Sequence, residues 1–158
     1  MRSAISVQRE PFDFGAEIEA LRAGDPAIGA VVGFIGQVRD INDARAVDVL
    51  ELEHYPGMTE TALAEIVERA AARWPLSGVR LIHRIGPLRP CEAIVMVAVS
   101  AAHRGVAFES CEYIMDYLKT EAPFWKKETR DGVSRWVEAR ETDERARERW
   151  EPGAGRAD

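Results

Sequence analysis

HRGVAFESCEYIMDYLKTEAPFWKKE, the stretch from His103 to Glu128, decides how this 158-residue chain is read. Ala107, Cys111, Ile114, Met115 and Leu118 recur at three- and four-residue steps and predict a helix with one apolar face. Pro123 stops that helix soon after Thr120, because it lacks an amide hydrogen and its ring clashes with the preceding turn. Lys119 then falls in the last turn, where the helix dipole alone favours a cation. Past Pro123 the run Phe124 to Glu128 is expected to be extended, so Lys126 and Lys127 point to opposite faces and one of them can turn back toward the helix end. With His103 and Arg104 at its start, the stretch gathers five basic residues in a protein whose net charge is -6.

Working outward, Val79 to Ile85 alternates apolar and polar residues, while Ala93 to Val99 is almost continuously apolar. The turn-forming link GPLRPCE between them predicts an antiparallel pair whose second strand is central and buried. Upstream, Val47 to Tyr55 reads as a strand, Pro56-Gly57 as a turn, and Thr59 as the cap of a long helix with the stripe Leu63, Ile66, Val67, Ala70 and Trp74, stopped by Pro75. Near the start, residues 4 to 9 predict a strand and Asp13 a cap for a short helix that ends by Gly24. Gly29 to Asp40 is a strand ending at Arg39, with glycines that admit close approach by a backbone or a ligand. Their spacing fits neither a dinucleotide fingerprint nor a P-loop. Asp40 to Ala46 reads as a polar surface loop.

Downstream, Asp131-Gly132 signals a hairpin between Phe124 to Thr129 and Ser134 to Ala139, and DERARERW one or two helical turns. The order implies an α+β fold with a largely antiparallel sheet and packed helices. Residues 1–150 are expected to form one domain and 151–158 a flexible tail.

Composition narrows the function. A charged fraction of 30% beside 46% hydrophobic residues is that of a globular protein, and the acidic balance argues against nucleic acid as a partner. No apolar run approaches a membrane span and no signal-peptide order is visible, so the cytoplasm is the expected location and no membrane partner is expected. Cys91 and Cys111 form no CxxC pair, and His54 and His83 have no third residue at ligand spacing, so no metal is expected.

If Arg39, His103, Arg104, Lys119 and Lys126 converge, they make a pocket for a compact, multiply anionic ligand, with Phe34 and Trp125 as a flat wall for a ring system. Desolvation or neighbouring cations can lower one lysine's pKa and make it a nucleophile or proton-transfer group. Taken singly the same residues are ordinary surface charges. A non-catalytic scaffold or a simple anion-binding module also fits them.

The segments LELEHYPGM (Leu50 to Met58), IHRIG (Ile82 to Gly86), AHR (Ala102 to Arg104), MDYLKTEAPFWKKE (Met115 to Glu128) and RWVEAR (Arg135 to Arg140) together resemble the large, catalytic subunits of molybdopterin synthase, the MoaE family. Gly105 and Val106 depart from the more polar residues expected there. The resemblance implies an α/β hammerhead-like fold. It also implies a sulfurtransferase that needs no cofactor and converts cyclic pyranopterin monophosphate, precursor Z, into the dithiolene of molybdopterin. Sulfur would arrive as the C-terminal thiocarboxylate of a small ubiquitin-like subunit, and two large subunits would form the central homodimer of a heterotetramer. Carried over by motif, substrate contacts are Gln37, Val38, Arg39, His103, Arg104, Lys119, Lys126, Lys127 and Glu128, with Lys119 and Lys126 catalytic. Phe34, Met115 and Arg140 are further pocket candidates, and His103 and Arg104 would enter from the other large subunit.

Overall fold

Caps and breakers set the element order. In the computed structural model, which describes residues 1–42, 45–137 and 141–151, strand β1 (Arg2–Gln8) leads to Asp13. The Asp13 carboxylate accepts a hydrogen bond from the Ala16 amide at 3.0 Å and starts α1 (Phe14–Arg22), as its side chain predicts. β2 (Ala30–Gln37) ends short of the expected Arg39, because a bulge between Gly36 and Gln37 turns it off its partner strand. Where a loop was expected, β3 (Ile41–Asn42) pairs with β4 (Arg45–Ala46) in a short antiparallel ladder.

β5 (Val49–His54) leads into α2 (Met58–Arg73), whose cap is Gly57 and not the expected Thr59. Gly57 sits at φ 84, a conformation open to glycine, and its amide donates to the Glu60 carboxylate at 2.7 Å, so the helix starts earlier. Thr59 has a different use. Fully buried, its hydroxyl accepts from the Tyr55 amide at 3.0 Å and donates to the Pro123 carbonyl at 3.0 Å.

β6 (Leu76–Arg84) is followed by β7 (Gly86–Leu88), an extra strand inside the turn-rich link, and by β8 (Ala93–Ala101). α3 (Arg104–Glu121) then runs to the stop at Pro123. β9 (Phe124–Arg130) and β10 (Val133–Val137) form the expected hairpin, with Asp131 at φ 45 and Gly132 at φ 76, both on the positive side that a two-residue turn of this hand requires. α4 (Glu141–Glu148) closes the described chain.

The strands form two four-stranded sheets where one largely antiparallel sheet was expected, so the fold is α+β with a division that no local pattern announces. In the first, ordered β1-β6-β8-β2, β1 runs parallel to β6 and the other pairs are antiparallel; the second, β10-β9-β5-β7, is antiparallel throughout. Helices cover both faces of the first sheet. Leu63 and Ile66 of α2 and Ile114 and Leu118 of α3 pack on Leu81, Val97 and Val99, while α1 brings Ile18 and Leu21 to Ile82, Met96 and Ala98 on the reverse. That double cover is why β8 is apolar almost residue by residue. Gly29 and Gly33 supply the close approaches read from the sequence, to the Ala102 carbonyl and the Phe14 ring respectively.

The end of α4 is tied down beyond the helix itself. The Trp150 indole donates to Asp116 at 2.7 Å and meets Trp74 and Tyr113 edge to face, while the Arg73 guanidinium donates to the Trp150 carbonyl at 3.0 Å. No helix among the described residues is long and apolar enough to cross a membrane.

The Thr59 hydroxyl joins the start of α2 to the chain entering β9, so removing it alone is informative. Thr59→Val keeps the shape and strands the Tyr55 amide and the Pro123 carbonyl, and about 1–3 kcal/mol of stability is expected to be lost in urea denaturation, with Thr59→Ser retaining most of it. Equal stability of the valine variant and wild type would refute the role.

Candidate active site

A cavity of about 300 Å³ opens where the end of α3 meets β9 and the exit of β2. Its floor is apolar, from Leu50, Ile94, Val95 and Leu118. Phe34 and Phe124 bring ring surface, and Gln37, Val38 and Arg39 line the side where the bulge releases β2. Lys119 enters from the last turn of α3, Lys126 and Glu128 from β9, and Thr142 and Asp143 from the start of α4. Three cations, Arg39, Lys119 and Lys126, thus face two carboxylates, which reverses locally the sign of the protein's overall charge.

The pleat of β9 sorts its side chains. Phe124, Lys126 and Glu128 face the cavity, while Lys127 lies on the other face, 2.9 Å from Glu51 and with its ammonium 5.4 Å from the centre of the Trp136 ring. The hydrogen bond to Glu51 raises the Lys127 pKa. The same alternation corrects the expected ring wall: Trp125 stands half-exposed outside, and Phe124 takes the place assigned to it.

Gln37 and Val38 are fixed by backbone and amide contacts. The Val38 amide donates to the Glu92 carbonyl at 2.9 Å, and its carbonyl accepts from the Cys91 amide at 2.9 Å. The Gln37 amide reaches the Cys91 carbonyl at 3.5 Å. Arg39 follows this clamp, exposed and just before the bend at Asp40.

His103 and Arg104 are not brought to the lysines within one chain. They stand exposed at the opposite end of α3, and an 18-residue helix separates its ends by about 27 Å. Met115 is buried in the main core, not among the cavity residues, and Arg140 lies outside the described residues. Cys111 is buried with its thiol pushed up to about 12 by desolvation, which suits a structural role. Among the described residues no three His, Cys, Asp or Glu side chains are grouped to hold a metal.

Sequence reasoning missed His83 as a cavity residue. It sits near the end of β6, buried, stacked on Phe124 with centroids 3.7 Å apart and 16° between planes, and with Nδ1 2.8 Å from the Arg84 carbonyl oxygen. Burial, and after it Lys126, Lys119 and His54, pushes its pKa down to about 3. One signal was legible: a polar side chain in a strand whose neighbours are covered on both faces.

The chain resembles known proteins over most of its length. The family model described as MoaE protein matches residues 7–121. A molybdopterin synthase catalytic subunit from Ralstonia nicotianae is 64% identical over 146 residues, 92% of this chain and 83% of that protein. Among solved structures, a molybdopterin biosynthesis MoaE protein from Burkholderia ambifaria is 55% identical with a TM-score of 0.81, covering 95% of this chain and 98% of that one. The molybdopterin synthase of Staphylococcus aureus is 34% identical with a TM-score of 0.77, covering 84% and 95%.

The His83 environment sets a pH dependence. Unfolded, the imidazole titrates near 6.5; folded, near 3, so as pH falls the unfolded chain takes the proton first. The stabilisation is complete above about pH 6.5 and is lost progressively toward about pH 3, with a loss of about 2 kcal/mol by pH 5. Urea midpoints at pH 7 and 5 are expected to fall in wild type and to fall less in His83→Gln. Identical slopes in the two proteins would contradict the assignment.

Proposed function

The chain belongs to the MoaE protein family, and on that premise we propose that it is the catalytic subunit of a molybdopterin synthase, transferring sulfur to cyclic pyranopterin monophosphate. The observation that carries the reading is one cavity holding Gln37, Val38, Arg39, Lys119, Lys126 and Glu128 together, although they come from a strand exit, a helix end and a separate strand. Residues 1–150 act as one catalytic unit, since the cavity draws on elements from β2 to α4.

The sulfur donor is the thiocarboxylate at the C-terminus of a small ubiquitin-like subunit, and the acceptor carries a cyclic phosphate. Both are anions and repel each other in a confined site unless cations offset the charge. Arg39 holds the phosphate side, and Lys119 and Lys126 stabilise the charge that develops as sulfur attacks and move protons there. Gln37, Val38 and Glu128 position the pterin. His103 and Arg104, at the far end of α3, serve the cavity of a second large subunit, so the homodimer is part of the chemistry. Large exposed side chains on the second sheet and beside it, Trp125, Trp136 and Tyr55, support an assembly with protein partners, because such surface marks contact sites. Lys127 stays outside substrate contact and holds β9 to β5 through Glu51.

The test mixes the purified protein with precursor Z and thiocarboxylated small subunit and looks for the dithiolene product by mass spectrometry; no product with competent partners sinks the reading. In that assay Lys119→Ala is expected to lower turnover on the order of 10²-fold or more, with stability within about 0.5 kcal/mol of wild type. Lys127→Ala, on the outer face, is expected to keep turnover close to wild type. Comparable losses in both variants would contradict the division of labour along β9.

A further inference from the structure

The cavity is rich in groups that attract anions, and its neutral side-chain acceptors besides His83 are the amide of Gln37 and the hydroxyl of Thr142, which donate as readily as they accept. Arg39, Lys119 and Lys126 only donate, while Glu128 and Asp143 accept as carboxylates. His83 differs from all of them. Its ring is clamped by the Phe124 stack and by the contact of Nδ1 with the Arg84 carbonyl oxygen at 2.8 Å. A carbonyl oxygen only accepts, so Nδ1 carries the hydrogen and Nε2 the lone pair. Among the described residues, the sealed side-chain polar atom without a partner is Nε of Arg147. Nε2 of His83 has no hydrogen-bond partner among them and is not sealed, so its lone pair opens into the cavity the residue lines.

We propose that Nε2 of His83 is a substrate-binding acceptor that takes a hydrogen bond from an N–H of the pterin ring. The inference rests on the reading of the cavity as a pterin site and adds what distinguishes the heterocycle from any other phosphate the cations attract. Its surroundings fit that task and no other proton chemistry. Lys126, Lys119 and His54 face the ring, and together with burial they keep it neutral, with protonation pushed down to about 3. So weak a base does not collect a proton at neutral pH; it remains a fixed acceptor in every turnover state. The stack on Phe124 and the bond to Arg84 fix its direction before ligand arrives, which lowers the ordering cost of binding.

Two amides separate the nitrogens. Asparagine at this position retains a donor near Nδ1 and loses the acceptor at Nε2; glutamine does the reverse. Binding of precursor Z and of inorganic phosphate to wild type, His83→Asn and His83→Gln is measured by calorimetry without the small subunit. The asparagine variant is expected to bind precursor Z about tenfold or more weakly, the glutamine variant to recover most of that, and phosphate to bind all three alike. Unchanged precursor affinity in the asparagine variant, or a glutamine variant no better than asparagine, overturns the proposal, as does an equal loss of phosphate binding. If the variants do not fold, wild type decides the matter alone: a ring-N-methylated pterin phosphate that binds as tightly as its parent overturns it, and one that binds about tenfold more weakly supports it. Wild-type binding of precursor Z without turnover would sink the enzymatic reading while leaving this one standing.

Discussion

Each side chain of a β-strand can face one side only, and β9 uses that restriction to keep two jobs apart. Phe124, Lys126 and Glu128 turn into the cavity; Trp125 and Lys127 turn out. The assignment depends on where the strand begins, since a slip of one residue would exchange every member of the two sets. Pro123 fixes that starting point by ending the helix register, and the buried Thr59 hydroxyl holds the Pro123 carbonyl. Six register pairs with β5, from Val49 with Thr129 to His54 with Phe124, lock the strand itself. Lys127 with Glu51 on the outer face reinforces the same register from the other side.

Electrostatics explains why an acidic protein keeps this arrangement. The cations of the cavity come from three separate elements and share their space with Glu128 and Asp143, so their mutual repulsion is partly offset before any ligand binds. An anionic ligand adds to that balance, and the apolar floor lowers the local polarisability that would otherwise screen it. The imidazole of His83 contributes by remaining uncharged: a buried cation there would repel the nearby ammonium groups of Lys119 and Lys126.

Much of the fold was legible because it rests on local chemistry. Asp13, Pro123 and Asp131-Gly132 each act on the few residues around them, and the stripe on α2 and the apolar run of β8 record burial directly. What escaped depends on distant partners. Gly86–Leu88 is a strand only because β5 lies beside it, and Thr59 reads locally as a cap although its hydroxyl reaches across to the Pro123 carbonyl. The candidate site divided in the same way. The alternation at Lys126 and Lys127 is visible in sequence, and the same pleat that turns Lys126 inward turns Phe124 inward and the expected wall residue Trp125 outward. His83 carried no spacing to a ligand or base, and its place in the cavity arises from Phe124 stacking on it across the fold.

The docking of Trp150 onto α2 and α3 has a temporal side. The cavity takes Lys126 and Glu128 from β9 and Thr142 and Asp143 from α4, and the end of α4 is held by Asp116 and Arg73 on helices made much earlier in the chain. During synthesis both packed faces of the first sheet can therefore form while the site still lacks a wall. All three cations of the cavity precede α4, so the pocket is charged before it is walled, and it gains the wall of Thr142 and Asp143 only when the segment ending at Trp150 has settled into its aromatic seat.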